Sequence, residues 1–308
     1  KPITALAILK LVDAGKISLD DPINTHLSIQ VTNPQHPDVV ITIRMLLSHV
    51  SSLADNWDIL MPNYTLPEGG DPNIPLNEYV REYFSPEGRF YDADKNFLKA
   101  APTSEFAYCN MCYATAGLIV ERVSRMPFEE YCEKEIFGPL DMEAYWFLRD
   151  IPDDNIAFAH DMPWKNSDFE SPKILPHYGY PDYPDGQIRT TALDYIKFLR
   201  MLVNQGKVGS TQFLSATLVD EFVKIQYPET AKHQAIAWNY NEFDNFIYYL
   251  LMPRLPSHTG ADPGVATAVS FDMKKKRAAV VFTNSPPMKF GQQKIFYQEM
   301  MKKLLNSE

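Results

Sequence analysis

Three short stretches of this 308-residue chain carry side chains able to move protons or hold a carbonyl. Lys1 opens "KPITALAILKLVDAG", Tyr108 and Asn110 bracket "YCN", and His258 leads "HTG". The lysine is the misfit. Pro2 suits a first helical position, where its missing N–H costs nothing. Ile3, Leu6, Leu9 and Ala5, Ile8, Val12 recur at helical spacing, and Gly15 supplies a C-terminal stop. A helix so nearly apolar all round is buried on several sides. An ammonium at its N-terminus meets the positive end of the helix dipole. Either Lys1 is a frayed chain end, or the misfit is functional. In the second case the dipole and a low dielectric both disfavour the ammonium and lower its pKa toward proton transfer. Taken alone, Tyr-x-Asn before a helix reads as a packed ring and a capping amide. His-Thr-Gly before a strand reads as a turn.

Other chemistries lack their motifs. The sequence has no G-x-S-x-G elbow, no G-x-x-x-x-G-K-[ST] phosphate loop, no H-E-x-x-H and no G-x-G-x-x-G. Cys109 and Cys112 form a C-x-x-C without a second ligand pair at finger-like spacing, so buried free thiols are expected rather than zinc or a redox couple. No metal and no cofactor are expected. A formal charge of −10 argues against a nucleic-acid partner. The basic run Lys274 to Arg277 lies between two strand-like stretches and reads as a solvated hairpin turn. No run approaches the roughly 18 apolar residues of a membrane span. A 45% hydrophobic, 13% aromatic composition is ample for a sizeable core.

The elements that must position these groups follow from periodicity. "ITIRMLLSHVSSL" reads as a short helix with Ile43, Leu46 and Leu47 on one face. From Trp57 to about Ser104 the chain turns irregular, with one helix near "LNEYVREYF". "MCYATAGLIVERVSR" and "ALDYIKFLRMLVNQG" read as helices, the latter stopped by Gly206. "AIAWNY", "NFIYYLLM", "VATAVSF" and "RAAVVFTN" read as strands, the last two joined by "DMKKK". A closing helix, "QKIFYQEMMKKLL", presents Ile295, Phe296, Met300 and Leu304 on one side. The sum is an α+β or mixed α/β architecture, an antiparallel sheet flanked by helices plus a mainly helical lobe.

In this order and spacing, the three stretches resemble the serine β-lactamase and penicillin-binding-protein superfamily, in the branch of class C β-lactamases, related esterases and D-amino-acid-specific peptidases. Its motifs are Ser-x-x-Lys opening a buried helix, Tyr-x-Asn, and Lys/His-Thr/Ser-Gly on a sheet strand. "YATAGLIVERVSRMPFEEYCEKEIFGPLDM" and "YPDGQIRTTALDYIKFLRML" also resemble family text. The resemblance implies a serine attacking an ester, amide or β-lactam to form an acyl-enzyme that water hydrolyses. It implies that Lys1 and Tyr108 share the proton work, that Asn110 holds the substrate's carbonyl or amide, that Gly260 admits close backbone approach, and that the Ala261 N–H is an oxyanion donor. It further implies residues 1–15 as a catalytic helix between lobes, 16–230 as the helical lobe and 231–308 as sheet and C-terminal helix. The resemblance favours a secreted or periplasmic setting.

Two departures matter. The nucleophile should stand three residues before Lys1, and the family's first strands are missing too. The expectation is a longer natural chain, with the fragment alone inactive. The rival is a non-catalytic scaffold or binding protein of the same fold. His258 stands where classical β-lactamases carry lysine, and a largely neutral imidazole pairs poorly with a substrate carboxylate. That tilts the expectation toward esterase or peptidase activity, unless His258 merely caps its strand.

Overall fold

The computed structural model of the chain describes residues 1–152, 156–161, 173–240, 254–285 and 298–305. The helices are α1 (Pro2–Asp13), α2 (Ile43–Leu47), α3 (Trp57–Leu60), α4 (Leu76–Phe84), α5 (Asn110–Ser124), α6 (Phe128–Cys132), α7 (Gly138–Leu140), α8 (Ala192–Val203) and α9 (Ala216–Val223). Three two-residue ladders pair β1 (Ala144–Tyr145) with β4 (Arg189–Thr190), β2 (His160–Asp161) with β3 (Lys173–Ile174), and β5 (Lys207–Val208) with β6 (Thr211–Gln212). The main sheet is antiparallel in the order β7 (Ser257–Asp262), β8 (Val265–Asp272), β9 (Arg277–Thr283). This is the expected mixed α/β architecture.

Helix α1 is buried along most of its length, as its unbroken apolar run requires. Gly15 closes it at φ +65°, a conformation costly for other residues. Lys10 Nζ donates to the Phe213 carbonyl at 2.9 Å and Asp13 accepts the Ser215 N–H at 3.2 Å, fixing the C-terminal end. The N-terminal end packs against α5 and against a 3₁₀ turn at Tyr183–Asp185. Gly117 makes that junction possible. A Cβ there would stand 2.5 Å from Pro184 Cγ, so only glycine lets the turn lie against α5. The Thr4 hydroxyl completes the contact by donating to the Pro184 carbonyl.

The β8–β9 hairpin turns where "DMKKK" lies. Asp272 Oδ1 accepts the N–H groups of Lys274 and Lys275 at 2.9 and 3.0 Å, and the lysines point to solvent. Other strand expectations change. "AIAWNY" is not a strand but a tight turn: Gln234 bridges Asn239, and Ala237 sits at φ +58°. Its apolar residues are buried because Trp238 plugs the core against Phe198, Phe222 and Phe271. Asn239 alone reaches the sheet, bridging Ser257. "NFIYYLLM" lies outside the described residues, as do Ile295 and Phe296. Residues 298–305 are helical, with Met301 and Leu305 buried and the expected Met300 partly buried against Ala266, Ala268, Ala279 and Val281. Leu304, expected on the buried side, is exposed.

Replacing Gly117 with alanine should destabilise the protein by about 1–3 kcal/mol through overpacking against Pro184. Alanine's helix propensity alone would add about 1 kcal/mol of stability. Urea denaturation decides the sign, and a higher midpoint for Gly117→Ala would refute this account of the junction.

Candidate active site

Lys1 stands at the N-cap of α1 with its side chain only 5% exposed. Its main-chain nitrogen donates to the Asp185 carbonyl at 3.0 Å. Its Nζ donates to the same carbonyl at 3.1 Å and to Asp185 Oδ2 at 3.2 Å. Nζ also lies 4.8 Å from the centroid of the Tyr108 ring. Burial pushes the ammonium's pKa down, but Asp185, then Tyr108 and Asp55, outweigh it and hold the group above its usual value. This corrects the expectation of a lowered lysine. A carboxylate 184 residues away in sequence reverses the effect of burial and helix dipole.

Tyr108 and Asn110 sit where the chain enters α5. Two partners fix that entry. Asp55 accepts the Asn110 N–H at 2.8 Å and the Met111 N–H at 3.0 Å, so an acid supplies the helix cap. Burial raises the Asp55 pKa to about 6 despite those bonds. His49 does the rest. Its carbonyl accepts the Ala107 N–H, its Nδ1 accepts the Cys109 N–H at 3.1 Å, and its ring stacks 4.5 Å from that of Tyr108. The Nδ1 bond assigns the neutral tautomer protonated on Nε2. Burial, then Lys1, hold the imidazole well below its usual pKa. Tyr108 remains 49% exposed. The Asn110 amide makes no side-chain hydrogen bond within the described residues, leaving it available to a ligand.

His258, Thr259, Gly260 and Ala261 lie on β7, which faces this cluster. Burial pushes the His258 pKa well below its usual value, with the Lys1 ammonium and His49 adding to the effect. The strand therefore presents a neutral imidazole. A Cβ on Gly260 would lie 2.5 Å from Thr267 Oγ1, its cross-strand partner on β8, which gives the glycine a reason inside the sheet. Ala261 is exposed. Asp262 anchors the strand's end by accepting the Tyr180 hydroxyl at 3.0 Å and the Tyr64 hydroxyl at 3.3 Å.

The structure thus gathers Lys1, Tyr108, Asn110 and His258 around one point. It adds Asp185, Asp55 and His49, which the sequence did not single out. An aspartate in "YPDG" or "LADN" carries no local sign of a lysine or a helix start far along the chain. Cys109 and Cys112 are joined as a disulfide, not the free thiols expected. Their N-cap and N3 positions on α5 bring the Cα atoms to 5.3 Å, within bonding range. Among the described residues no group of three or more His, Cys, Asp or Glu side chains is placed to hold a metal ion. No described helix is long and apolar enough to cross a membrane.

Against known proteins, the Beta-lactamase family model matches residues 1–299. The chain is 24% identical over 263 residues to Protein flp of Staphylococcus aureus (strain MW2), covering 82% of this chain and 48% of that protein. It therefore spans about half the length of this curated relative. D-amino acid amidase from Ochrobactrum anthropi SV3 superposes with a TM-score of 0.71 at 18% identity, over 99% of this chain and 82% of that one. The octameric penicillin-binding protein homologue from Pyrococcus abyssi gives 0.68 at 21%, over 96% and 62%. These structural likenesses show a shared fold. The family match extends over nearly the whole sequence, and the chain belongs to the Beta-lactamase family.

Proposed function

We propose that this chain is the larger part of a serine hydrolase that opens small esters or amides through an acyl-enzyme. The nucleophile in this reading is a serine three residues before Lys1 in the complete protein. The observation that carries it is the convergence of Lys1, Tyr108 and His258, distant in sequence, at the N-terminal ends of α1 and α5.

The Lys1 ammonium beside Tyr108 favours the phenolate. Tyr108 takes the serine hydroxyl proton as the oxygen attacks the substrate carbonyl, and returns that proton to the leaving group as the tetrahedral intermediate collapses. Water then attacks the acyl-enzyme by the same route. The Ala261 N–H serves as one oxyanion donor, and the Asn110 amide holds the substrate's acyl side. The neutral His258 favours substrates without a carboxylate beside the scissile bond. The name of the structural relative, a D-amino acid amidase, supports an amide as one substrate class.

In the complete protein, a fluorophosphonate probe should label a single serine, and absence of labelling would favour a non-catalytic scaffold. Tyr108→Phe should lower turnover of p-nitrophenyl butyrate at least about a hundredfold, the worth of a positioned acid–base group. Its melting temperature should barely move, since the residue is half exposed and loses only a hydroxyl. Undiminished turnover would reduce Tyr108 to a packing residue. His258→Lys should raise the ratio of penicillin to neutral-ester kcat/KM by about tenfold, roughly one charge-assisted hydrogen bond to the substrate carboxylate. An unchanged ratio would show that residue 258 does not meet the substrate.

A further inference from the structure

The reaction just proposed leaves Asp185 without a part, although its carbonyl and carboxylate both bind Lys1. An ammonium has three N–H donors. Two are taken by Asp185, one by its backbone carbonyl at 3.1 Å and one by its carboxylate at 3.2 Å. Tyr108 lies beside the same ammonium, its ring centroid 4.8 Å from Nζ, and helps hold it charged. Gripping the lysine by main chain and side chain of one residue fixes Nζ in place as well as in charge.

Asp185 is itself held. It ends the Tyr183–Asp185 turn, which Gly117 allows against α5. The Tyr183 hydroxyl donates to Glu129 at 2.7 Å, and the Thr4 hydroxyl donates to Pro184. The residue is 6% exposed, so its pairing with Lys1 is screened little by water. Asp185 Oδ1 has no hydrogen-bond partner, so Oδ2 alone carries the carboxylate's contact. The other titratable groups facing Lys1 are Tyr108 and Asp55 beside α5, with Asp182 before the turn. Asp262 and the neutral His258 face it from β7, and the neutral His49 from the segment after α2.

We propose that Asp185 is the positioning residue of this site, holding the Lys1 ammonium against Tyr108 so that the lysine acts as a fixed charge and Tyr108 carries the proton. The consequence for turnover rests on the hydrolase reading; the grip on Lys1 does not. Lysine can serve as the proton acceptor only if it is neutral at working pH. The two-point contact with a buried carboxylate opposes that.

The test titrates Lys1 in the complete protein by NMR of 13Cε-labelled lysine, its signal assigned by loss in Lys1→Arg. The wild-type signal should remain that of an ammonium through pH 10.5, and Asp185→Asn should move its midpoint down by at least about one pH unit. With p-nitrophenyl butyrate, Asp185→Asn should lower kcat at least about tenfold with KM little changed, and Asp185→Glu should restore part of it. A wild-type Lys1 that titrates below pH 8 would overturn the proposal, even if the asparagine variant failed to fold. So would an Asp185→Asn midpoint equal to that of wild type. The titration needs no turnover, so a protein that takes up no fluorophosphonate would fail as a hydrolase while the Lys1 result stood.

Discussion

A buried ammonium must be neutralised, and the junction around Lys1 is built to do it. The side chain is nearly inaccessible at the end of an apolar helix, where both burial and dipole oppose its charge. Asp185 supplies the compensating charge from the turn packed against α5. Removing one member of such a pair costs about 3–5 kcal/mol, because the survivor is left charged and dry. The glycine in α5, the Pro184 contact and the Thr4 hydrogen bond all bring that turn to the required place. One ion pair thus sits where the three segments meet.

The start of α5 shows the same economy of parts with different chemistry. Four N–H groups open any helix without partners. Here Asp55 takes two of them and places an acid at the positive end of the helix. His49 takes the N–H one residue earlier and lays its ring on Tyr108. It can do both only as a neutral imidazole, and burial beside Lys1 keeps it so. Tyr108 thus stacks on His49 and lies beside the Lys1 ammonium while remaining half exposed. The Cys109–Cys112 disulfide ties the residue between Tyr108 and Asn110 to the first turn of the helix.

Strand β7 brings the third wall. Its pairing with β8 demands a glycine opposite Thr267, and its far end is tied through Asp262 to two tyrosines. The wall carries little positive charge, since His258 is neutral. Asp185 and Asp55 set carboxylates beside the Lys1 ammonium.

By itself, the sequence determined the local elements and the residue types. The apolar run after Lys1 could only be a buried helix, Gly15 had to end it, and the lysine-rich tip between β8 and β9 had to be a solvated turn. The order Lys1, Tyr-x-Asn, His-Thr-Gly pointed to the family and to four of the residues that meet. Tertiary structure decided the rest. "AIAWNY" carries strand-like residues, yet Trp238 gains more by filling a hole among three phenyl rings than by joining a sheet. The last helix buries Met301 and Leu305 against the alanines of β8 and β9. Above all, the charge state of Lys1 was unreadable. Helix dipole and burial are local and predict a weakened ammonium, whereas Asp185 acts through space from 184 residues away. Coulomb's law follows distance in the folded chain, and sequence does not encode that distance until the turn has packed on α5.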